Sequence, residues 1–131
     1  MVKWLGAVAA FLCVLAAAPQ AKKKPKPAEL EIVEIHAVRN GEKVQIDGRV
    51  RNTGDIRAQE VQLIFYFVAP DKKTVSTRRG PLESPDIQPG EQAVFTLESP
   101  APVRAAFVRL EAVAKGERFL KLSNDGPFPV E

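Results

Sequence analysis

The stretch Val44–Arg51, VQIDGRVR, alternates apolar and polar residues without interruption. Successive side chains of a β-strand point to opposite faces of a sheet, so Val44, Ile46 and Val50 are expected on one face and the charged residues on the other. The same period of two recurs in three later segments, Val61–Phe67, Ala93–Leu97 and Ala106–Ala112. The sequence therefore predicts an all-β protein.

Turn-forming pairs such as Asn40-Gly41 and Pro89-Gly90 separate these segments. Asn-Gly is a strong hairpin signal, and Pro-Gly fits the two central positions of a type II turn. The segment Val103–Lys115 also has helical spacing, but its period-two pattern favours a strand. Seven short strands result, at about 29–39, 43–51, 58–68, 73–79, 92–98, 104–114 and 118–122. This pattern predicts an immunoglobulin-like β-sandwich of about seven antiparallel strands over 29–122, followed by a tail, 123–131.

Two strands carry extra information. In the first strand the apolar parity changes between Ile32 and Ile35, which predicts a bulge or a switch between sheets, because a one-residue slip turns every side chain to the other face. In the third strand both parities are apolar from Leu63 to Val68, which predicts a central strand whose outer face is partly covered. Phe95 is expected in the core.

The first 21 residues have the features of a secretory signal peptide. Lys3 precedes an apolar run of 15 residues, Trp4–Ala18, and small residues follow. The run is shorter than the roughly 20 residues that a membrane-spanning helix needs. Cleavage is expected after Ala17 or Ala21. The exported chain is then expected in the periplasm or outside the cell, with no transmembrane segment and no cysteine for a disulfide.

A linker, 22–28, follows, in which Lys22, Lys23, Lys24 and Lys26 are accompanied by prolines. Charge repulsion and proline favour an extended, solvated spacer. The alternative function is contact with an anionic surface, at about 1 kcal/mol per cation. Without this linker, residues 28–131 contain fourteen Lys and Arg against sixteen Asp and Glu, which argues against a nucleic-acid-binding protein.

The predicted domain contains little material for catalysis. Its one histidine, His36, lies in an alternating strand and is expected to face solvent. No nucleophile and base occur in a recognisable motif, and one His without Cys cannot form the common zinc sites. The Arg78-Arg79 pair is expected to be solvated charge. We therefore expect no catalytic residues, no metal and no cofactor.

The apolar residues of opposite parity are the feature that favours binding. Ile64, Tyr66, Val68 and Phe107, together with Val94 and Val113, predict an interaction patch if they meet on one sheet face. The alternative is that the tail 123–131 folds back through Phe128 and covers part of them.

Several motifs occur in a fixed order: DGRVRNTG at 47–54, VQLIFYF at 61–67, IQPGE at 87–91 with Phe95, and VRL at 108–110. Over about 44–113 the chain thus resembles the bacterial FxLYD-type immunoglobulin-like domains of secreted proteins. The motif that names those domains is not matched, because Phe65–Val68 reads FYFV. The resemblance implies an immunoglobulin-like fold and a location in the cell envelope, and it implies no reaction.

These observations predict a non-catalytic, exported binding or interaction module. Its partner is expected to be a protein or another component of the envelope and not a nucleic acid, and the chain is expected to be a monomer or a weak dimer. The alternative is a structural envelope component held at an anionic surface by Lys22–Lys26.

Overall fold

A computed structural model describes residues 24–131, which form eight β-strands and no helix. The predicted signal peptide, together with Lys22 and Lys23, lies outside the described residues. Within residues 24–131 no helix has the length and hydropathy required to cross a membrane. The strands are β1 (Glu29–Asn40), β2 (Lys43–Asn52), β3 (Gln62–Val68), β4 (Thr74–Pro81), β5 (Gln92–Pro100), β6 (Phe107–Ala114), β7 (Arg118–Ser123) and β8 (Phe128–Pro129).

The strands form one mixed sheet in the order β4-β3-β6-β7-β1-β2-β5, with β8 paired to β6. The two end strands approach each other where Leu82 bridges Phe95 and the Glu83 N–H donates to the Val94 carbonyl at 3.0 Å. These contacts nearly close the sheet into a barrel. The all-β prediction is confirmed, and the ambiguous segment 103–115 contains the strand β6 rather than a helix.

The prediction that the strands are all antiparallel is wrong, because β1 and β7 pair in parallel through Glu29–Glu31 and Lys121–Ser123. A parallel pair needs a long connection, and the intervening chain supplies one. Within the segment 123–131, predicted as a tail, β8 pairs antiparallel with β6. Glu131 continues along β1, since its N–H donates to the Ala37 carbonyl and its own carbonyl accepts from the Arg39 N–H.

The irregularity predicted in the first strand is confirmed. The register of β1 against β2 shifts between Ile32 and Glu34, so that Ile32 and Ala37 are both buried although their parities differ. The predicted type II turn is also confirmed: the Glu91 N–H donates to the Gln88 carbonyl, and Gly90 has a φ of 83°. The third strand begins at Gln62 rather than near 58.

The core is centred on two phenylalanines, one from each half of the sheet. The rings of Phe65 and Phe95 lie 5.9 Å apart at 52°, and both residues are buried. Phe95 covers Gly48 on the paired strand, where any Cβ would collide with the ring. A Cβ at Gly80 would lie 3.2 Å from the Phe65 ring. The two glycines provide the space that the rings occupy.

Asn52 is fully buried at the end of β2 and organises the connection to β3. Its Nδ2 donates to the carbonyls of Ile56 at 2.8 Å and Ile87 at 3.0 Å, and its Oδ1 accepts from the Gly54 N–H at 2.9 Å. Because buried polar groups are costly when unpaired, these three bonds fix the path of residues 53–56 and join it to residue 87.

We predict that Phe95→Ala lowers the free energy of unfolding by about 3–5 kcal/mol, because the substitution leaves a cavity against Phe65 and Gly48. Denaturant unfolding measures the loss. Phe119→Ala is the matched control, since Phe119 is 64% exposed and its removal should change stability by less than about 1 kcal/mol. Equal losses in the two variants would contradict the core position of Phe95.

We predict that Asn52→Ala lowers the free energy of unfolding by about 2–4 kcal/mol, because it removes three hydrogen bonds and leaves the buried Gly54 N–H without its acceptor. Hydrogen exchange at the Gly54 amide should accelerate in the same variant. Asn40→Ala, at an exposed hairpin position, is the control and should have a small effect. An unchanged Gly54 exchange rate would show that Asn52 does not hold the connection.

Candidate functional site

The structure brings the four residues of the predicted interaction patch onto the β3–β6 pair. Val68 lies opposite Phe107, while Ile64 and Tyr66 lie opposite Glu111 and Arg109. Val68 is buried and the other three are half-buried. Val94 lies on β5 at the far end of the sheet order, and Val113 is buried. Charged side chains thus interrupt the apolar face.

Tyr66 is held by both of its charged neighbours. The Arg109 guanidinium lies over the ring, 4.6 Å from its centroid, and the Tyr66 hydroxyl donates a hydrogen bond to the Glu111 carboxylate. The hydrogen bond to Glu111, assisted by partial burial, raises the pKa of Tyr66 above its usual value. These contacts fix the ring against its own sheet.

The tail does not lie across this face. Phe128 pairs with Val108 along the edge of β6 and packs against the buried core, while Pro129 pairs with Phe107. The Val130 N–H donates to the Ala106 carbonyl, so the chain continues beside the same strand. The segment therefore extends the sheet between β6 and β1.

A groove of about 660 Å³ lies at another place on the surface. Its walls come from the base of the linker at 27–29, the β2–β3 connection at 56–59 and the β6–β7 hairpin. Ligand sites in proteins commonly have volumes of roughly 300–1,000 Å³. We call this feature the basic groove, because its lining includes Arg57, Lys115, Arg118 and Lys121 against a single carboxylate, Glu29.

Three of these cations have no acidic partner in the described part of the chain. Ion pairs there include Lys115 with Glu60 at 3.9 Å, but none includes Arg57, Arg118 or Lys121. Residues 1–23 contain no Asp or Glu. Outside the groove, residues 28–131 carry ten cations and fifteen carboxylates. The groove lining therefore has more cations than carboxylates, whereas the rest of residues 28–131 has more carboxylates than cations.

The base of the linker is fixed at the groove. The Lys26 N–H donates to an Asp55 carboxylate oxygen at 2.8 Å, and the Asp55 N–H donates to the Lys26 carbonyl at 3.1 Å. Gly54 is buried beneath Pro27, whose carbonyl occupies the place a Cβ would take. Lys24 and Lys26 are exposed. Two of the four predicted surface-binding lysines thus begin at the rim of the basic groove.

The other polar residues discussed from the sequence form hydrogen bonds and ion pairs at the surface. His36 is exposed, as predicted, and lies 3.3 Å from Glu34, which also accepts from Arg49. The hydrogen bond from Arg49 lowers the pKa of Glu34. Arg78 and Arg79 are exposed, as predicted, and Arg79 forms a surface ion pair with Glu117 at 2.5 Å. Among residues 24–131 no three His, Cys, Asp or Glu side chains come together as a metal site would need.

Sequence reasoning missed the basic groove because its cations come from two distant segments. Arg57 precedes Lys115 by 58 positions, so the sequence does not show that Arg57 joins Lys115, Arg118 and Lys121, which lie within seven residues of one another. The local signals are the three cations within residues 115–121 and Phe119, an apolar side chain whose parity in β7 is opposite to that of Leu120 and Leu122.

We predict that Tyr66, the only tyrosine of the chain, ionises in the folded protein above about pH 10 and that Glu111→Gln lowers the midpoint. The native state keeps the phenol proton where the unfolded chain has lost it, so this contribution to stability is complete below about pH 10 and is lost as the pH rises through the native pKa. The phenolate absorbance band measures the midpoint. Glu98→Gln is the control, and a midpoint unaffected by Glu111→Gln would contradict the assigned hydrogen bond.

No protein-family model matches the chain, and no curated protein matches it. Among solved structures, the chain is similar to a Bordetella pertussis protein assigned as ApaA, at 18% identity over 74% of this chain and 89% of that one, with a TM-score of 0.46. It is similar to IrmA from Escherichia coli at 10% identity, over 82% and 99%, with a TM-score of 0.47. It also matches 15% of beta-glucosidase 3B from Thermotoga neapolitana, at 18% identity over 72% of this chain, with a TM-score of 0.41. With TM-scores this low, the similarities carry no argument about function.

Proposed function

We propose that the protein is an exported, non-catalytic binding module and that its ligand is anionic. The observation that carries this proposal is the concentration of four cations against one carboxylate in the basic groove. The rest of residues 28–131 has fifteen carboxylates, whereas the groove has unpaired cations. This charge distribution attracts anions to the groove and orients them before contact. The features of a signal peptide in residues 1–21 support export to the periplasm or the extracellular space.

We also propose that the sheet is an immunoglobulin-like β-sandwich of the FxLYD type. The set β1, β2 and β5 and the set β4, β3, β6 and β7 would then form its two layers, in contact through Phe65 and Phe95. The register shift in β1, next to the residues that pair with β7, supports a strand that passes from one layer to the other.

The second candidate is a structural envelope component that is held at an anionic surface by its basic arm. The fixed position of Lys26 beside the groove favours this candidate, because Lys24 and Lys26 then extend a positive surface that the folded domain already presents. Both candidates predict an envelope or protein partner and no nucleic acid, with the chain as a monomer or a weak dimer.

The patch at Ile64, Tyr66, Val68 and Phe107 remains a weaker proposal for a protein contact. Its tyrosine is engaged by Arg109 and Glu111, so a partner would have to displace or cover existing contacts.

We predict that the exported protein is retained on immobilised polyglutamate at low ionic strength and released as salt is raised, because added ions screen exposed charges. If the groove is the site, Arg118→Gln with Lys121→Gln should weaken retention by about thirtyfold. This figure assumes that each cation contributes about 1 kcal/mol, the value for cations at a charged surface. Lys24→Gln with Lys26→Gln should do so if the arm is the site.

The matched control is Lys73→Gln with Arg78→Gln, which makes the same change in net charge at two exposed positions that do not line the groove. Retention that neither the groove variant nor the arm variant alters, or failure to bind both polyglutamate and anionic phospholipid vesicles, would contradict the proposal that an anionic ligand binds here.

A further inference from the structure

We infer that the basic groove docks the protein on an anionic phospholipid surface, with Phe119 and Ile56 entering the headgroup region. This inference rests on the proposed binding of an anionic ligand and names that ligand. It depends on three features: exposed apolar side chains in the groove, unpaired cations in the groove, and the basic arm that is attached beside it.

The apolar feature is unusual for this domain. Phe119 is 64% exposed and Ile56 is 48% exposed, and both line the groove. Every other phenylalanine described by the structure is buried or half-buried. An exposed aromatic ring among cations suits the boundary between lipid headgroups and acyl chains, where one part of a side chain meets hydrocarbon and its neighbours meet water and phosphate.

Cations adjoin these two side chains in sequence and line the same groove. Arg57 follows Ile56 directly, and Arg118 precedes Phe119 on β7. Arg57, Arg118 and Lys121 have no acidic partner in the described chain. Guanidinium groups bind phosphate through paired hydrogen bonds. The same surface therefore has side chains that can bind lipid phosphates and apolar side chains that can insert among the headgroups.

The basic arm argues for a surface rather than a single soluble anion. A small ligand would be satisfied by the groove alone, whereas the exposed Lys24 and Lys26 add positive charge next to Pro27 without lining the groove. Stable attachment to a membrane requires two signals, such as an apolar insertion and a polybasic segment. The groove supplies the first signal and the arm supplies the second. The negative charge elsewhere on residues 28–131 would orient the groove toward the lipid.

The test uses protein purified from the exported fraction and vesicles of equal parts phosphatidylglycerol and phosphatidylcholine, with pure phosphatidylcholine vesicles as the neutral comparison. Binding is measured by flotation. We expect binding to the anionic vesicles only. Phe119→Ala should weaken it by about tenfold, and Arg118→Gln with Lys121→Gln should weaken it by about thirtyfold.

Two controls match these variants. Val103→Ala removes another exposed apolar side chain, 88% exposed and outside the groove, and should not change binding. Lys73→Gln with Arg78→Gln removes the same net charge away from the groove and should change binding by less than about threefold, because the effect of a distant charge is screened.

Insertion can be observed directly with Phe119→Trp. The only tryptophan of the chain is Trp4, within the predicted signal peptide, so the introduced indole would be the sole tryptophan of the processed protein. On anionic vesicles its emission should shift to the blue and be quenched by brominated acyl chains.

The outcomes separate the two proposals. Vesicle binding that is insensitive to Phe119→Ala, with the introduced indole unquenched, would overturn the docking inference and leave an anionic ligand in place. Binding to polyglutamate without binding to either vesicle would also overturn the docking inference, and it would favour an acidic polymer or peptide as the ligand. Failure to bind both vesicles and polyglutamate would overturn the inference together with the proposed function.

Discussion

The contact between Phe65 and Phe95 is the interaction on which the rest of the structure depends. The two rings belong to strands far apart in the sheet order, and they meet because glycines at 48 and 80 leave room for them. Their contact brings the two ends of the sheet together, at the point where Leu82 bridges Phe95. With no cysteine in residues 24–131, this apolar contact and its neighbours hold the sheet closed without a covalent bond across it.

The shape of the groove depends on Asn52, which lies at the end of the strand that packs against Phe95. The strand that carries Gly48 ends at Asn52, whose three side-chain hydrogen bonds set the course of the following connection. That connection places Ile56 and Arg57 in one wall of the groove and Gly54 beneath Pro27. A residue that does not line the groove therefore fixes both a groove wall and the root of the basic arm, and core stability and groove geometry are coupled at this position.

Local pattern predicted most of the strands, and it failed where partners are distant. The change of parity between Ile32 and Ile35 located the register shift, because side-chain direction alternates strictly along a strand. The parallel pairing of Glu29–Glu31 with Lys121–Ser123 left no local signal, since it depends on how the whole intervening chain closes. The groove could not be predicted for the same reason, because Arg57 and Arg118 line one groove only after β1, β6 and β7 come together. The sequence predicted the patch only on the condition that its residues meet on one sheet face, because the pairing of β3 with β6 and the contacts of Tyr66 with its charged neighbours depend on cross-strand register.

The edge of β1 has a consequence for the order in which the protein folds. Its partners along this edge are residues 121–123 and 131, while β1 itself lies near the beginning of the described chain. Folding rates fall as native contacts join residues more distant in sequence, and here the joining residues are the last of the described chain to be synthesised. Until they emerge, β1 presents unpaired N–H and C=O groups that other chains can bind. A polypeptide of this topology would benefit from being held unfolded until its synthesis has passed residue 131, a requirement that post-translational secretion meets.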